Sequence, residues 1–566
     1  MSIWIATIGA LDGSNTPKTL YFSDVSYIDN DGNYFENRML QPALIKVSPD
    51  DGGTFKIFST PSIGEIQLIN KDGGLNYLMD YALDNGSISL SLVVDNGTKN
   101  DYLTGKIESM RFSGDAVYLT VRSMSEVLTR NHVNNKFLGN NALPNGVEGV
   151  ADDIKGNVKP RVFGSVLNAT PVLVNTSQLI YQFSDRTTAT ISAIYDKGVA
   201  LTLHQSYTWA NFASFMAHTS IASGKYIICA GYVKLGTTPA GTVTGDCSDA
   251  ILIATSNTSF TVGVGSKTFA TQAGKVFSAG NTLIIYSAAN QSNFMTGTVA
   301  SYATTSLVMN ITSVGGSGTF ADWVISSCLA GDVFEAILTE ESLTLNGAAK
   351  TTLNAIGAVG IYVTGETTTT QLLNQIAQSC GAYWYFLQNT VYAKLLALAT
   401  TSTLSLTNSE LITIDIVNTG LGENGLPVES ISFNYDHIET VQKETDLAGS
   451  VTTARKAVLS NQYRSKFIND AAVKTRHPLA PAIKIDSCLR LEANATTVAT
   501  TLLNLSKVRV DTVNITAVVD EIPSLQLGDG VMVFSDKLSY DYGKLLTIIG
   551  FQIDAKRKEI VLECIG

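Results

Sequence analysis

The chain has 566 residues, only 15% of them charged, and carries a net charge of −11 with an isoelectric point near 5.0. That length exceeds what one hydrophobic core supports and calls for about three to five domains, while abundant Thr, Ser, Asn and Gly suit β-rich extracellular or virion structure more than a cytosolic metabolic enzyme. The acidic balance argues against a protein that clamps nucleic acid, because neutralising phosphates takes clustered Lys and Arg, although an acidic wall lets a polyanion slide past.

The first 130 residues alternate as half-buried antiparallel strands do: Ile63-Gly-Glu-Ile-Gln-Leu, Ser87-Ile-Ser-Leu-Ser-Leu and Ala116-Val-Tyr-Leu-Thr-Val. Asp50-Asp-Gly-Gly, Lys71-Asp-Gly-Gly, Asp84-Asn-Gly and Ser113-Gly-Asp separate them, with Gly or Asn supplying the positive φ of tight turns. Leu75, Leu78, Met79 and Ala82 fall at helical spacing and predict one short helix. Residues 1–130 read as a closed or nearly closed β-barrel with a helical patch.

A looped section over 131–153 leads to Lys159-Pro-Arg-Val-Phe-Gly-Ser-Val-Leu-Asn-Ala-Thr-Pro and Tyr181-Gln-Phe-Ser-Asp. Ile194-Tyr-Asp-Lys-Gly-Val-Ala-Leu-Thr opens another β segment, closed by Thr238-Pro-Ala-Gly-Thr-Val-Thr. These three blocks, in this order, resemble the baseplate or tail-tip hub proteins of long-tailed bacteriophages and gene transfer agents, in which a Pro-x-x-x-Gly-x-Val-x-Asn-x-x-Pro stretch and a Pro-x-Gly-x-Val-Thr stretch recur. Residues 131–256 are assigned to a connecting β/loop domain.

From 259 to 326 only Lys267, Lys275 and Asp322 carry charge, and short alternating runs are punctuated by Gly and Asn, the spacing of a small sandwich or barrel. The succession Gly-Ser-Lys-Thr-Phe, Met-x-Gly-x-Val, Gly-Ser-Gly-Thr and Asp-Trp resembles a β-domain that recurs in tail and adhesin proteins of bacteriophages. We assign 257–328 to this inserted module, an extra relative to the hub pattern. Phe260, Phe269, Tyr286, Tyr302 and Trp323 compete between two readings, a small aromatic core and a surface that stacks on sugar. Tyr286, Tyr302 and Trp323 are the candidates for glycan or partner contact. Gly263-Val-Gly-Ser-Lys-Thr comes near a phosphate loop, but Ser266 stands where that motif needs Gly and no helix follows, so it reads as strand and turn.

Beyond the module, Leu372, Leu373, Ile376, Ala377 and Cys380 share one helical face behind a Thr start and ahead of Gly381. Strand Ala382-Tyr-Trp-Tyr-Phe-Leu, a Gln-Asn turn at 388–389 and strand Val391-Tyr-Ala-Lys-Leu-Leu follow, giving a helix-plus-hairpin domain over 329–400. The last domain, 401–566, holds a helix over 495–506, then Leu527-Gly-Asp-Gly-Val and Gly543-Lys-Leu-Leu-Thr-Ile-Ile-Gly, which resemble hub C-termini. The fold class is mainly β with a few short helices, multidomain, with two hub-type barrels and an inserted sandwich-like module.

The resemblance implies a structural protein and no enzyme: a homotrimer whose six similar barrels form a ring, joining the sixfold tail tube to a threefold tip around the channel for DNA and tape measure. Its implied partners are distal tail and tail-tube proteins, a central tip or fibre protein and the tape measure protein, with DNA passing unbound and a host surface glycan as a further contact. The implied place is the distal end of the phage tail, after assembly in the host cytoplasm. Two other readings stand beside it. A receptor-binding adhesin would show fibre repeats or heptads, and none are found; a polysaccharide-degrading enzyme would need two carboxylates set across a cleft, with Glu340-Glu341 and Asp520-Glu521 as the adjacent acid pairs.

No cofactor or metal is expected. His132, His204, His218, His437 and His477 lack ligand spacing, and no Gly-x-Ser-x-Gly elbow occurs. Cys229, Cys247, Cys328, Cys380, Cys488 and Cys564 read as small buried hydrophobes, with Cys229 and Cys247, the nearest pair, placed where they could bridge facing strands. No apolar run reaches the length of a membrane span, and the first residues lack the basic stretch of a secretion signal.

Overall fold

The structure, a computed structural model, describes residues 3–47, 58–59, 61–94, 97–142, 145–249, 251–273, 275, 277, 279–287, 293–387 and 390–566. It is a mainly β, multidomain protein with short helices. The turns expected at 50–53 and 388–389 lie outside the described residues.

Near the N-terminus, strands Ile3–Leu11, Pro17–Ser23, Glu65–Ile69, Ser87–Val93, Lys99–Ser113 and Ala116–Ser123 form one antiparallel sheet. Period-2 alternation puts Trp4, Ala6 and Ile8 inside, opposite Leu92, Leu90 and Ile88. An interrupted strand, Tyr34–Asn37 then Met39–Gln41, closes the sheet on itself. Its first half runs parallel to Pro17–Ser23 and its second antiparallel to Glu65–Ile69. At the break, Arg38 N–H donates to Ser23 O (3.0 Å) and Arg38 O accepts from Ile69 N–H (2.7 Å). Closure leaves no free sheet edge at this seam.

The helix expected around Leu75 is a 3₁₀ turn, Asn76–Asp80. Leu75 and Leu78 are buried as the spacing requires, but Met79 is 61% exposed and Ala82 bridges to Leu11 in extended pairing. Three residues per turn put i and i+3 on one line and turn i+4 away, which is why Met79 left the expected face.

The C-terminal barrel is built from Leu404–Leu406, Leu411–Asn418, Thr512–Val518, Gly530–Ser535, Tyr540–Asp554 and Glu559–Ile565. It shares a core topology with the first. Each has a three-stranded antiparallel meander with a 15-residue middle strand, Lys99–Ser113 in one and Tyr540–Asp554 in the other. In each, the strand before the meander pairs with the meander's third strand (Glu65–Ile69 with Ala116–Ser123; Thr512–Val518 with Glu559–Ile565). In each, an interrupted strand closes the seam through one parallel pairing, Phe22 with Glu36 and Leu404 with Val531. The N-terminal barrel adds Ile3–Leu11 and Pro17–Ser23 to this plan.

The barrels are joined by main-chain pairing: Ile45–Val47 adds to the C-terminal sheet beside Phe551, Gln552 and Ile553, and Pro61–Ile63 returns along it. A single hydrophobic cluster, from Trp4 to Ile565, runs through both barrels and the helical domain between them.

Residues 401–566 are more than a barrel. Between Leu411–Asn418 and Thr512–Val518 the chain builds a separate lobe, in which Ser430–Tyr435 lies between Arg464–Asn469 and Ala482–Asp486 and the helix Glu492–Ser506 packs on the sheet. That helix starts three residues before the expected 495.

In the connecting domain two five-stranded sheets enclose Val162, Phe183, Ile194, Val233 and Cys247. Strand Gly360–Val363, from beyond the module, completes one of them. The module starts earlier than 257: Ile251 already pairs with Ser327, so entry and exit strands run side by side. Its six-stranded sheet wraps its own core of Phe269, Ile285, Met309, Trp323 and Ile325. The 263–268 segment enters strand Gly265–Ala270. The helical domain has three helices where one was expected, Ala330–Glu340, Gly347–Ile356 and Thr369–Ser379, against hairpin Ala382–Leu387 and Thr390–Leu395.

Candidate functional site

The three module aromatics do not converge. Trp323 shares strand Trp323–Ser327 and inward parity with Ile325; it is fully buried, donates its indole N–H to Thr258 O (3.0 Å), and meets Phe269 and Phe320 edge-on. A ring without an exposed face cannot stack on a sugar, so Trp323 is a core residue and leaves the candidate set. Tyr286 sits on the opposite, outward parity of strand Thr282–Ser287, half-buried, and burial raises its phenol pKa. Tyr302 lies at the far end of strand Phe294–Ala303, where its hydroxyl donates to Thr304 O (2.6 Å) and its ring meets Phe277 edge-on.

The strongest electrostatic arrangement lies instead at the root of the module, where the chain leaves the connecting domain after Asp249 and re-enters helix Ala330–Glu340. Arg186 ties the two stalks together: Nε reaches Asp249 Oδ2 (2.6 Å), and Nη1 pairs with Glu340. Arg161 holds Asp185 with two hydrogen bonds (2.8 and 2.6 Å) and lies 3.4 Å from Glu340. His132, its side chain nearly enclosed, sets Nδ1 2.7 Å from Glu341 Oε1 and Nε2 3.2 Å from Glu340 Oε2. Thr369 Oγ1 donates to Glu341 (3.1 Å) and Thr188 Oγ1 to Asp249 (2.7 Å).

Burial opposes ionisation of Glu340, but hydrogen bonds from His132 and Arg186 outweigh it and hold its pKa down to about 2. At Asp249 burial wins and the pKa is raised, although Arg186 and Thr188 pull the other way. Glu340, paired with Arg186 and Arg161, and Glu341, in contact with His132 and Thr369, thus bridge the helical and connecting domains. Asp520 and Glu521 are exposed in a bend.

All six cysteines are buried and unpaired, and burial raises each thiol. Buried thiols pushed up in this way are poor nucleophiles. Among the described residues no group of three His, Cys, Asp or Glu is set to hold a metal ion, and no helix is long and apolar enough to cross a membrane. His437 faces Glu439 (2.9 Å), and its ring lies tilted against Tyr463. His204 and His218, 14 residues apart in the chain, meet in space. Neither the Arg186 clamp nor this pair was visible from spacing, since both depend on non-local strand pairing.

No family model matches the sequence, and no curated protein matches it. Among solved structures, the chain is similar to the tail protein from Neisseria meningitidis MC58, at 9% identity and a TM-score of 0.38, covering 99% of this chain and 96% of that one. It is similar also to the 43 kDa tail protein of prophage MuSo2 from Shewanella oneidensis, at 6% identity and a TM-score of 0.36 over 99% and 95% of the two chains. Prophage tail protein gp18 from Listeria monocytogenes EGD-e aligns at 11% identity and a TM-score of 0.26, over 55% of this chain and 87% of that one.

Proposed function

We propose that this chain is a structural hub of a bacteriophage tail tip, acting by assembly and not by catalysis. Three copies form a closed ring of six barrels that adapts a sixfold tail tube to a threefold tip and surrounds the passage for DNA and tape measure.

The observation that carries this reading is the shared core topology of the two terminal barrels, together with the paired strands Ile45–Val47 and Pro61–Ile63 that fasten one beside the other. Two like barrels per chain let a trimer offer six near-equivalent units, and closed symmetry satisfies each contact surface once. The ordered sequence motifs on either side of the module support the same assignment. The net charge of −11 fits a channel that repels DNA and so does not retain it. The module, with paired entry and exit strands, projects from this ring toward neighbouring tail proteins or the host surface.

The test is mass and shape. Sedimentation should give three copies of the 60.4 kDa chain, and electron microscopy with the tail-tube partner should give rings. A protein that stays monomeric at high concentration and forms no ring with that partner would refute the reading.

A further inference from the structure

Of the four tryptophans, Trp4, Trp323 and Trp384 are enclosed, and Trp209 alone keeps 45% of its surface in solvent. It opens the 3₁₀ turn Trp209–Asn211, which leads directly into helix Phe212–Ala217 of the connecting domain. Thr208 pins this turn: its carbonyl accepts Asn211 N–H (2.9 Å), and its hydroxyl accepts from Asn211 Nδ2 (3.2 Å).

Other rings hold the indole from one side. The Phe212 ring is 4.8 Å away and tilted at 39°, and the Tyr232 ring is 6.2 Å away and nearly parallel, at 20°. Phe212 and Tyr232 are themselves 5.5 Å apart, so both back the same side of the indole and its exposed surface lies on the other. The support is rigid. Tyr232 belongs to a buried core with Phe215, on which Phe212 stacks, and its hydroxyl accepts from Gln182 Nε2 (3.0 Å).

The surroundings are unusual in charge. From 201 to 224 the chain holds no Asp, Glu, Lys or Arg, yet most of these residues are exposed, and a solvated face of that length ordinarily carries charge. Trp209 is the one large apolar side chain exposed in this segment. Its exposed neighbours along the chain include Gln205, Thr208, Asn211 and Ser214, which supply amides and hydroxyls. This composition separates the ligand classes. The core of a protein contact gathers several apolar side chains, and here there is one; an anionic ligand calls for Lys or Arg, and here there is none. A pyranose presents a flat C–H face to an aromatic ring and hydroxyls to uncharged polar groups, and both kinds of partner are present.

We propose that Trp209 is the stacking platform of a binding site for a neutral pyranose glycan on the connecting domain, with the amides and hydroxyls of the same segment orienting the sugar. Because the ring is already held in place, binding costs little ordering of the protein. The site lies outside the inserted module. It does not depend on the trimeric ring, since every residue belongs to one chain.

The test is a printed array of neutral and anionic bacterial surface polysaccharides probed with the full chain, followed by titration of fragments of the bound polysaccharide against tryptophan fluorescence. The expected result is binding to neutral polysaccharide, with the fragment shielding Trp209, the one exposed indole, from acrylamide quenching. Trp209→Ala should weaken binding roughly tenfold and Trp209→Tyr should weaken it less. Tyr542→Ala, which removes a 99% exposed ring from the C-terminal barrel, should leave it unchanged. An unaltered unfolding midpoint verifies that Trp209→Ala is folded. No binding to any polysaccharide, binding confined to anionic ones, or binding unchanged in Trp209→Ala overturns the proposal; loss of self-association in Trp209→Ala without loss of glycan binding shows a protein contact instead. Copy number by sedimentation judges the ring separately, because a monomer can still bind glycan through this site.

Discussion

The inserted module and the body that carries it are made of the same alternating strands, yet they are held together on different scales. In the body one cluster of buried side chains passes through both barrels and the helical domain, so residues at opposite ends of the chain share a core. The module's core is its own, with Ala254, Phe269, Ile285 and Trp323 all drawn from within it. Its main-chain link to the body is the adjacent pair of stalks at Ile251 and Ser327. Adjacent ends let a unit be inserted without spreading the host strands, and a private core lets it fold without them.

Two tryptophans put this contrast to its hardest test. Trp384, in strand Ala382–Leu387, and Trp323, in the module, are both fully buried, and each donates its indole N–H inside the protein, to Asn374 Oδ1 (2.7 Å) and Thr258 O (3.0 Å). Either one changed to Ala should cost about 3–5 kcal/mol of the unit that contains it. Trp384→Ala should lower the main unfolding transition and leave the module's untouched; Trp323→Ala should do the reverse. Denaturant unfolding followed by hydrogen exchange in each region separates the two. If Trp323→Ala lowers the body's midpoint as much as Trp384→Ala does, the module is not an independent unit.

The root clamp comes next in size. Arg186→Ala removes one cation from Asp249 and Glu340 together, at a cost of about 2 kcal/mol for lost charge-assisted hydrogen bonds. The signature is local: faster exchange at the stalks around 251 and 327, with the module's own core protection unchanged. Acid acts on the same place. Glu340 is held at about 2, below its unfolded value, so its contribution is complete above the ordinary glutamate range and lost as pH falls from there toward 2. Asp249 is raised and contributes in the opposite sense, disfavouring the folded state once ionised. Thermal melts between pH 5 and 2 should therefore fall for the wild type and fall less for Glu340→Gln. Equal slopes would mean that Glu340 is not the titrating anchor.

How much of this was readable in the sequence depends on how far apart the partners lie. Period-2 runs such as Thr282–Ser287 and Ala116–Ser123 appear in the sequence as they do in the sheet, because alternation is local. Parity along the strand would also have placed Trp323 inside, since it matches Ile325. Helix Ala330–Glu340 went unread although Val333, Phe334, Ile337 and Leu338 carry its face at helical spacing; Gly347–Ile356, with Gly and three Thr or Asn in ten residues, gave a weaker signal. The lobe within 401–566 was hidden because Leu411–Asn418 finds its partner about a hundred residues later, at Thr512–Val518. The root clamp and the histidine pair join residues that only the assembled sheets bring together.

The smallest effect concerns a helix whose start and stop residues the sequence did mark. Helix Thr369–Ser379 begins with a capping box: Thr368 Oγ1 accepts from Gln371 N–H (3.3 Å), and Gln371 Oε1 accepts from Thr368 N–H (2.9 Å). It stops at Gly381, whose φ of +62° is the left-handed conformation that favours glycine. Thr368→Ala removes the hydroxyl half of that box and should cost about 1 kcal/mol. Because Leu372, Leu373 and Ile376 of this helix belong to the cluster shared by both barrels, the loss should appear in the body's single transition and not as local fraying. A cap loss that frays the first turn without moving the body's midpoint would show that the helix is a satellite, and that the body's cooperativity stops at the barrels.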